Sequence, residues 1–170
     1  MYKIGLKSLF NQEGFKLDID READFSDIEV SGEKPFTGPV HIHGVIRNVA
    51  GVVFMEAEAD CVMTTCCDRC ACELVKHLSF PIVHTFVTEL NNDEDDYEYI
   101  VVPDMEFDLD ALAKEDVLLA IPSKVLCKPD CKGLCPQCGK NLNDGPCDCK
   151  EPVDPRLAGL LSLLEDDDNE

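Results

Sequence analysis

Six of the chain's 11 cysteines lie between positions 127 and 149, at Cys127, Cys131, Cys135, Cys138, Cys147 and Cys149. Thiols packed this densely, with Pro and Gly between them, are either crosslinked to one another or hold a metal. The run Cys135-Pro-Gln-Cys138-Gly139 has the make-up of a knuckle turn, in which backbone N–H groups point at two thiolates and Gly139 allows the left-handed residue that closes it. Cys147-Asp-Cys149 follows and can supply the other two corners of a tetrahedron.

Composition bears on the choice between metal and disulfides. The start of the chain, MYKIGLKSLF, has neither a signal peptide's apolar run nor its small-residue cleavage site, and no stretch approaches the length of a transmembrane helix. A cytoplasmic protein with no membrane contact is expected. In a reducing compartment clustered cysteines are more often zinc ligands than a disulfide framework, and an odd total of 11 fits poorly with complete pairing. An all-cysteine shell leaves no open position for water or substrate, so the expected zinc is structural, one ion or two.

A second pair, Cys67-Asp-Arg-Cys70, lies between two predicted strands. Its spacing suits either a zinc knuckle or a redox dithiol. If Cys135, Cys138, Cys147 and Cys149 fill one tetrahedron, Cys127 and Cys131 are left over, and Cys67 with Cys70 are their natural complement. A competing arrangement groups four of the six C-terminal thiols and leaves Cys67 and Cys70 free. Cys61 falls on the apolar face of its strand and reads as core, while Cys66 and Cys72 read as neighbours of the knuckle.

Asp and Glu number 35 against 15 Lys and Arg, a formal net charge of -20. Such a chain is repelled on average by phosphate backbones, which argues against extended binding to bare nucleic acid and for a basic partner. Residues 114–160 hold seven basic and seven acidic side chains, so the deficit lies elsewhere. Lys124, Lys128, Lys132 and Lys140 alternate with thiols there. They read as offsetting the negative charge of thiolate shells rather than as a phosphate contact. The acidic run 89–98, which includes Asp93, Glu94, Asp95 and Asp96, cannot bury itself; a loop is expected, and these four carboxylates are the expected partner-binding residues.

The fold class expected is α+β, mainly β: an antiparallel β-rich domain with one or two short helices and a C-terminal Cys-rich zinc module. Val40, Ile42 and Ile46 alternate with His41, His43 and Arg47, Asn48-Val-Ala-Gly51 offers turn chemistry, and Val53, Met55, Ala57, Ala59 and Cys61 continue on one face. Leu74, Leu78, Phe80, Ile82 and Phe86 mark a further strand, in which Pro81 implies an edge or a bulge. Asp108 is the predicted N-cap of a helix with Leu109, Leu112, Val117 and Leu119 toward the core. The division expected is 1–126 for the β-rich domain with the Cys67/Cys70 pair, 127–150 for the module, 151–164 for a short helix capped by Asp154, and 165–170 for a disordered acidic tail. His41 and His43 share a strand face and read as solvated. The sequence contains no Ser-His-Asp arrangement, Gly-rich phosphate loop or zinc-protease helix motif, so an enzyme is not expected.

The strings Cys67-x-Arg69-Cys70, Leu-Ala-Ile-Pro122, Cys127-x-x-x-Cys131-Lys-Gly-Leu-Cys135-Pro-x-Cys138-Gly-x-Asn-Leu-Asn143 and Asp154-Pro-Arg156 resemble the YceD family of bacteria and plastids. The family is associated with accumulation of large-subunit (23S) ribosomal RNA. The resemblance implies a role in synthesis, processing or stability of that RNA, metal binding by the cysteines, and no catalytic residue. The reading that follows is an accessory factor in large-subunit ribosome biogenesis, meeting a basic ribosomal or rRNA-processing protein and touching rRNA indirectly, with no small-molecule substrate. Two rivals remain: a thiol-disulfide protein using Cys67 and Cys70, and a zinc module that binds RNA directly through its lysines.

Overall fold

The structure is a computed structural model and describes residues 1–30, 32–89 and 99–149. The predicted helix at 151–164 and the tail at 165–170 lie outside the described residues, as do Asp93, Glu94, Asp95 and Asp96. The chain divides into two compact units, one made of Met1–Thr65 with Glu73–Lys124, the other of Cys66–Cys72 with the chain from Val125 onward.

The first unit is a mainly β structure with two helices. In chain order it runs β1 (Lys3–Gly5), α1 (Lys7–Asn11), β2 (Lys16–Ala23), β3 (Val40–Val49), β4 (Val52–Cys66), β5 (Glu73–Val87), β6 (Tyr99–Val101), β7 (Glu106–Asp108) and α2 (Leu109–Ala120), with the last residue of β4 already counted in the second unit. Five strands form one sheet in the order β2-β3-β4-β5-β6, and β1 pairs with β7 in a second, two-stranded sheet. The β2–β3 and β3–β4 pairs are antiparallel, whereas β6 joins the end of β5 in parallel over Thr85–Val87.

The β3–β4 hairpin forms where the alternation and the turn residues put it. Val49 pairs with Val52, and the two loop residues Ala50 and Gly51 have φ of 52° and 87°, as a tight hairpin with the sheet's own twist requires. Asn48 fixes the turn: its Oδ1 accepts from Gly51 N at 2.9 Å and its Nδ2 donates to Leu9 O at 2.6 Å. Val40, Ile42, Ile46, Val53, Met55, Ala59, Phe80, Ile82 and Phe86 are all buried, so the alternating positions build one inner sheet face. Pro81 lies outside the part of β5 that pairs with β6, where its missing N–H costs no hydrogen bond to that strand.

Helix α2 covers part of that face. Asp108 caps it as expected, accepting from the backbone N–H groups of Asp110 and Ala111 at 3.1 and 3.4 Å. Leu109, Ala113 and Val117 form its buried stripe, at the i, i+4, i+8 spacing of one helix face. The expectation for Leu119 is corrected: it is 86% exposed, because two residues past Val117 the helix has turned about 200° away from the stripe. Arg21 projects from β2 toward this helix and meets Asp110 with two hydrogen bonds, Nε–Oδ1 at 2.9 Å and Nη2–Oδ2 at 3.1 Å. Among the described residues no helix is long and apolar enough to cross a membrane.

Candidate metal centre

All 11 cysteines are free thiols. In the second unit they form two groups. Cys135, Cys138, Cys147 and Cys149 have their sulfur atoms within 4.8 Å of one another, the set expected from spacing. Around the other pair the same holds for Cys67, Cys70, Cys72 and Cys127, and Cys131 Sγ stands 3.8 Å from Cys67 Sγ. Each group can hold a metal ion.

The local backbone explains why these thiols converge. In the C-terminal group Gly139 N donates to Cys135 O at 2.9 Å and Gly139 has φ of 72°, the closing residue of the turn. The Cys67-Asp-Arg-Cys70 turn repeats this geometry: Ala71 N donates to Cys67 O at 2.8 Å, and Ala71 has φ of 55°. A left-handed alanine is disfavoured relative to glycine, so this turn is held by what surrounds it. Asp68 accepts from Val125 N and donates its own N–H to Val125 O at 2.9 Å, which brings the chain before Cys127 alongside the knuckle. Arg69 Nη1 donates to Cys131 O at 2.7 Å, and Arg69 O accepts from Leu134 N at 3.1 Å. Gly133 has φ of 76°, which disfavours a side chain, and a Cβ there would crowd Arg69 O at 3.0 Å.

The donor chemistry fits a tetrahedral metal. Zinc–sulfur bonds of about 2.3 Å imply sulfur–sulfur edges of about 3.8 Å. Cys67–Cys131 at 3.8 Å and Cys70–Cys127 at 3.7 Å match that edge. Cys70–Cys72 at 3.4 Å is shorter than it. Backbone N–H groups also favour thiolates at the first cysteine of each knuckle. At Cys67 burial alone would raise the pKa, but the N–H groups of Arg69, Cys127 and Cys70 outweigh it and bring it to about 6. At Cys135 the N–H groups of Cys138 and Gln137, with the Cys147 thiol, bring it to about 6. Asn143 Nδ2 donates to Cys131 Sγ at 3.3 Å, while its Oδ1 accepts from Lys132 N at 3.0 Å.

Seven of the eight cysteines singled out by spacing sit in the two groups, and the eighth, Cys131, has its sulfur 3.8 Å from that of Cys67. Spacing does not anticipate Cys72, which joins the first group, or Asn143 and Arg69, which hold Cys131. Their signal lay in the strings Asn-Leu-Asn143 and Cys67-x-Arg69-Cys70, where a polar side chain accompanies the thiols. Cys61 is buried in the first unit with its thiol pushed up to about 11, by burial first and Asp60 second, as befits a core thiol. Cys66 is exposed. Lys140 Nζ donates to Pro146 O at 2.7 Å and so braces the C-terminal group internally.

The family model described as "Large ribosomal RNA subunit accumulation protein YceD" matches residues 55–164. An uncharacterized protein of Mycobacterium tuberculosis is 33% identical over 167 residues, covering 95% of this chain and 69% of its own length. The uncharacterized protein YlbN of Bacillus subtilis is 33% identical over 106 residues, 60% of each chain. The chloroplastic "Large ribosomal RNA subunit accumulation protein YCED homolog 1" of Zea mays is 39% identical over 74 residues, 43% of this chain and 24% of that protein. No solved structure matches the chain. With more than half its length matched by the family model, and a relative of 33% identity along 95% of it, the chain belongs to the YceD family of large ribosomal RNA subunit accumulation proteins.

Proposed function

We propose that the chain is a zinc-stabilised accessory factor of large-subunit ribosome biogenesis, supporting synthesis, processing or stability of 23S ribosomal RNA in the cytoplasm. The family's description supports the ribosomal role. The observation that carries the zinc reading is the pair of thiol groups, each built on a knuckle with backbone N–H groups aimed at sulfur. Cys67, Cys70, Cys127 and Cys131 hold one ion, and Cys135, Cys138, Cys147 and Cys149 the other. Four thiolates close each shell, so the ions stabilise the second unit and leave no position for a reacting molecule. The cluster of more than two thiols around Cys67 and Cys70 also sets it apart from a redox dithiol at a helix start.

The direct partner is a basic ribosomal or rRNA-processing protein. A net charge of -20 favours such a contact over bare RNA, and Lys140, one of four lysines available for a phosphate contact, is engaged by Pro146 O. Metal analysis of protein purified without chelator tests the zinc reading, with two equivalents per chain expected and none refuting it. Capture of tagged protein from growing cells, with bound proteins and RNA identified, tests the partner. Recovery of precursor rRNA without any basic protein would overturn the protein-partner reading.

A further inference from the structure

The outward face of β2, β3 and β4 carries two histidines in a frame of carboxylates. The register sets Glu22, His41 and Asp60 side by side across the three strands, and Asp20, His43 and Glu58 in the next row. The imidazole rings of His41 and His43 stack, with centroids 5.1 Å apart and planes 11° from parallel. Sequence alone reads this pair as solvated, because the third donor comes from the neighbouring strand. One ring nitrogen of each histidine and a carboxylate oxygen of Asp60 lie within 4.8 Å of one another.

The hydrogen bonding sorts the nitrogens. His41 Nε2 is 2.9 Å from Asp20 Oδ1, which leaves Nδ1 as its free nitrogen. An imidazole held by a carboxylate through one nitrogen and open at the other is the usual state of a metal-ligating histidine. His43 Nδ1 is shielded from solvent and has no hydrogen-bond partner among the described residues. Its near neighbour Asp60 Oδ2 stands 3.6 Å away, too far for a hydrogen bond. That separation is close to the edge of about 3.4 Å spanned by two nitrogen or oxygen donors on a tetrahedral ion with bonds of 2.0–2.1 Å.

We propose that His41, His43 and Asp60 form a binding site for a zinc-class divalent cation, oriented by Asp20 and separate from the thiol groups. Imidazole donors favour a borderline first-row ion over magnesium or calcium, and the carboxylates of Glu22 and Glu58 in the same two rows offset its charge. Three protein donors leave at least one coordination position for water or an exchangeable ligand, which the all-thiolate shells do not.

Zinc is the probe. Protein whose thiol groups have first been saturated is titrated with zinc by calorimetry, while the histidine ring resonances are followed by NMR. The intact protein should take up one further equivalent, with the His41 and His43 signals shifting together. His43→Ala should lose that equivalent and keep the thiol-bound metal, and Asp20→Asn should bind it about tenfold more weakly, the effect of removing a carboxylate that orients a ligand. No further equivalent, or one retained by His43→Ala, would overturn the proposal. Ring signals that do not move with zinc would do the same.

Discussion

Five sulfurs surround four corners in the first thiol group, and replacing Cys131 or Cys72 by serine decides which are the corners. Cys131 lies 3.8 Å from Cys67, the tetrahedral edge, and is 2% exposed. It also receives Asn143 Nδ2, and its own carbonyl is held by Arg69. Cys72 stands 3.4 Å from Cys70, inside the distance that two sulfurs keep on one zinc, so the zinc shell proposed above leaves it out as a neighbour. A shell of this kind in small zinc modules is worth roughly 10–16 kcal/mol in all. One sulfur in four then accounts for on the order of a hundredfold in dissociation constant. Cys131→Ser should weaken the first site by that factor and lower the unfolding temperature of the second unit, while Cys72→Ser leaves both near the parent values. Competition against a chromophoric chelator gives the affinities, and metal content after dialysis gives the stoichiometry. If Cys72→Ser loses the ion and Cys131→Ser keeps it, the edge-length reasoning is wrong and the shell is Cys67, Cys70, Cys72 and Cys127.

Ala71→Gly should stabilise the knuckle by about 0.5–1 kcal/mol by relieving a left-handed alanine, read as a higher chelator concentration at half-loss of metal. Gly44→Ala should destabilise the first unit by about 3 kcal/mol in a urea melt, because the added Cβ would lie 2.3 Å from Glu56 O and 2.4 Å from Ala57 Cα, both backbone atoms. Asp110 has its pKa held below the ordinary 3.8 by the Arg21 hydrogen bonds, against the opposing effect of burial and with help from the chain's amino group. Because the folded value is the lower one, its stabilisation is present above pH 3.8 and fades as pH falls through the folded pKa, so Asp110→Asn should flatten that part of the acid-unfolding curve. Neutralising Asp93, Glu94, Asp95 and Asp96 together should slow association with a basic partner in a low-salt binding assay and leave the melting temperature unchanged; unaltered association would remove this segment from the interface.

The elements legible in the sequence are those whose signals are local. The β3–β4 hairpin follows from alternation and the Asn48–Gly51 turn, and α2 starts at its Asp cap. Strand β2 is harder to read because Arg21 stands on the inner face among Ile19 and Ala23, and the Asp110 that accounts for it lies 89 residues away. Leu119 shows the opposite difficulty: an apolar residue in an apolar run carries no mark of which side of the helix it occupies. For the thiols, pair spacing finds the Cys135, Cys138, Cys147 and Cys149 group and places Cys127 beside Cys67 and Cys70. It says nothing about Cys72, whose approach to Cys70 depends on the left-handed Ala71 between them, or about Asn143, which reaches Cys131 across a Gly-closed turn.

The first thiol group draws on cysteines separated by 57 positions between Cys70 and Cys127 and by 64 between Cys67 and Cys131. A ribosome adding about 5–20 residues each second makes the early pair some 3–13 s before the late one. Throughout that interval the nascent chain carries Cys67 and Cys70 without their later neighbours, two thiols open to oxidation. Completion of the thiol group is therefore a late event in the birth of each molecule, timed by translation and exposed to the thiol reductants around the ribosome.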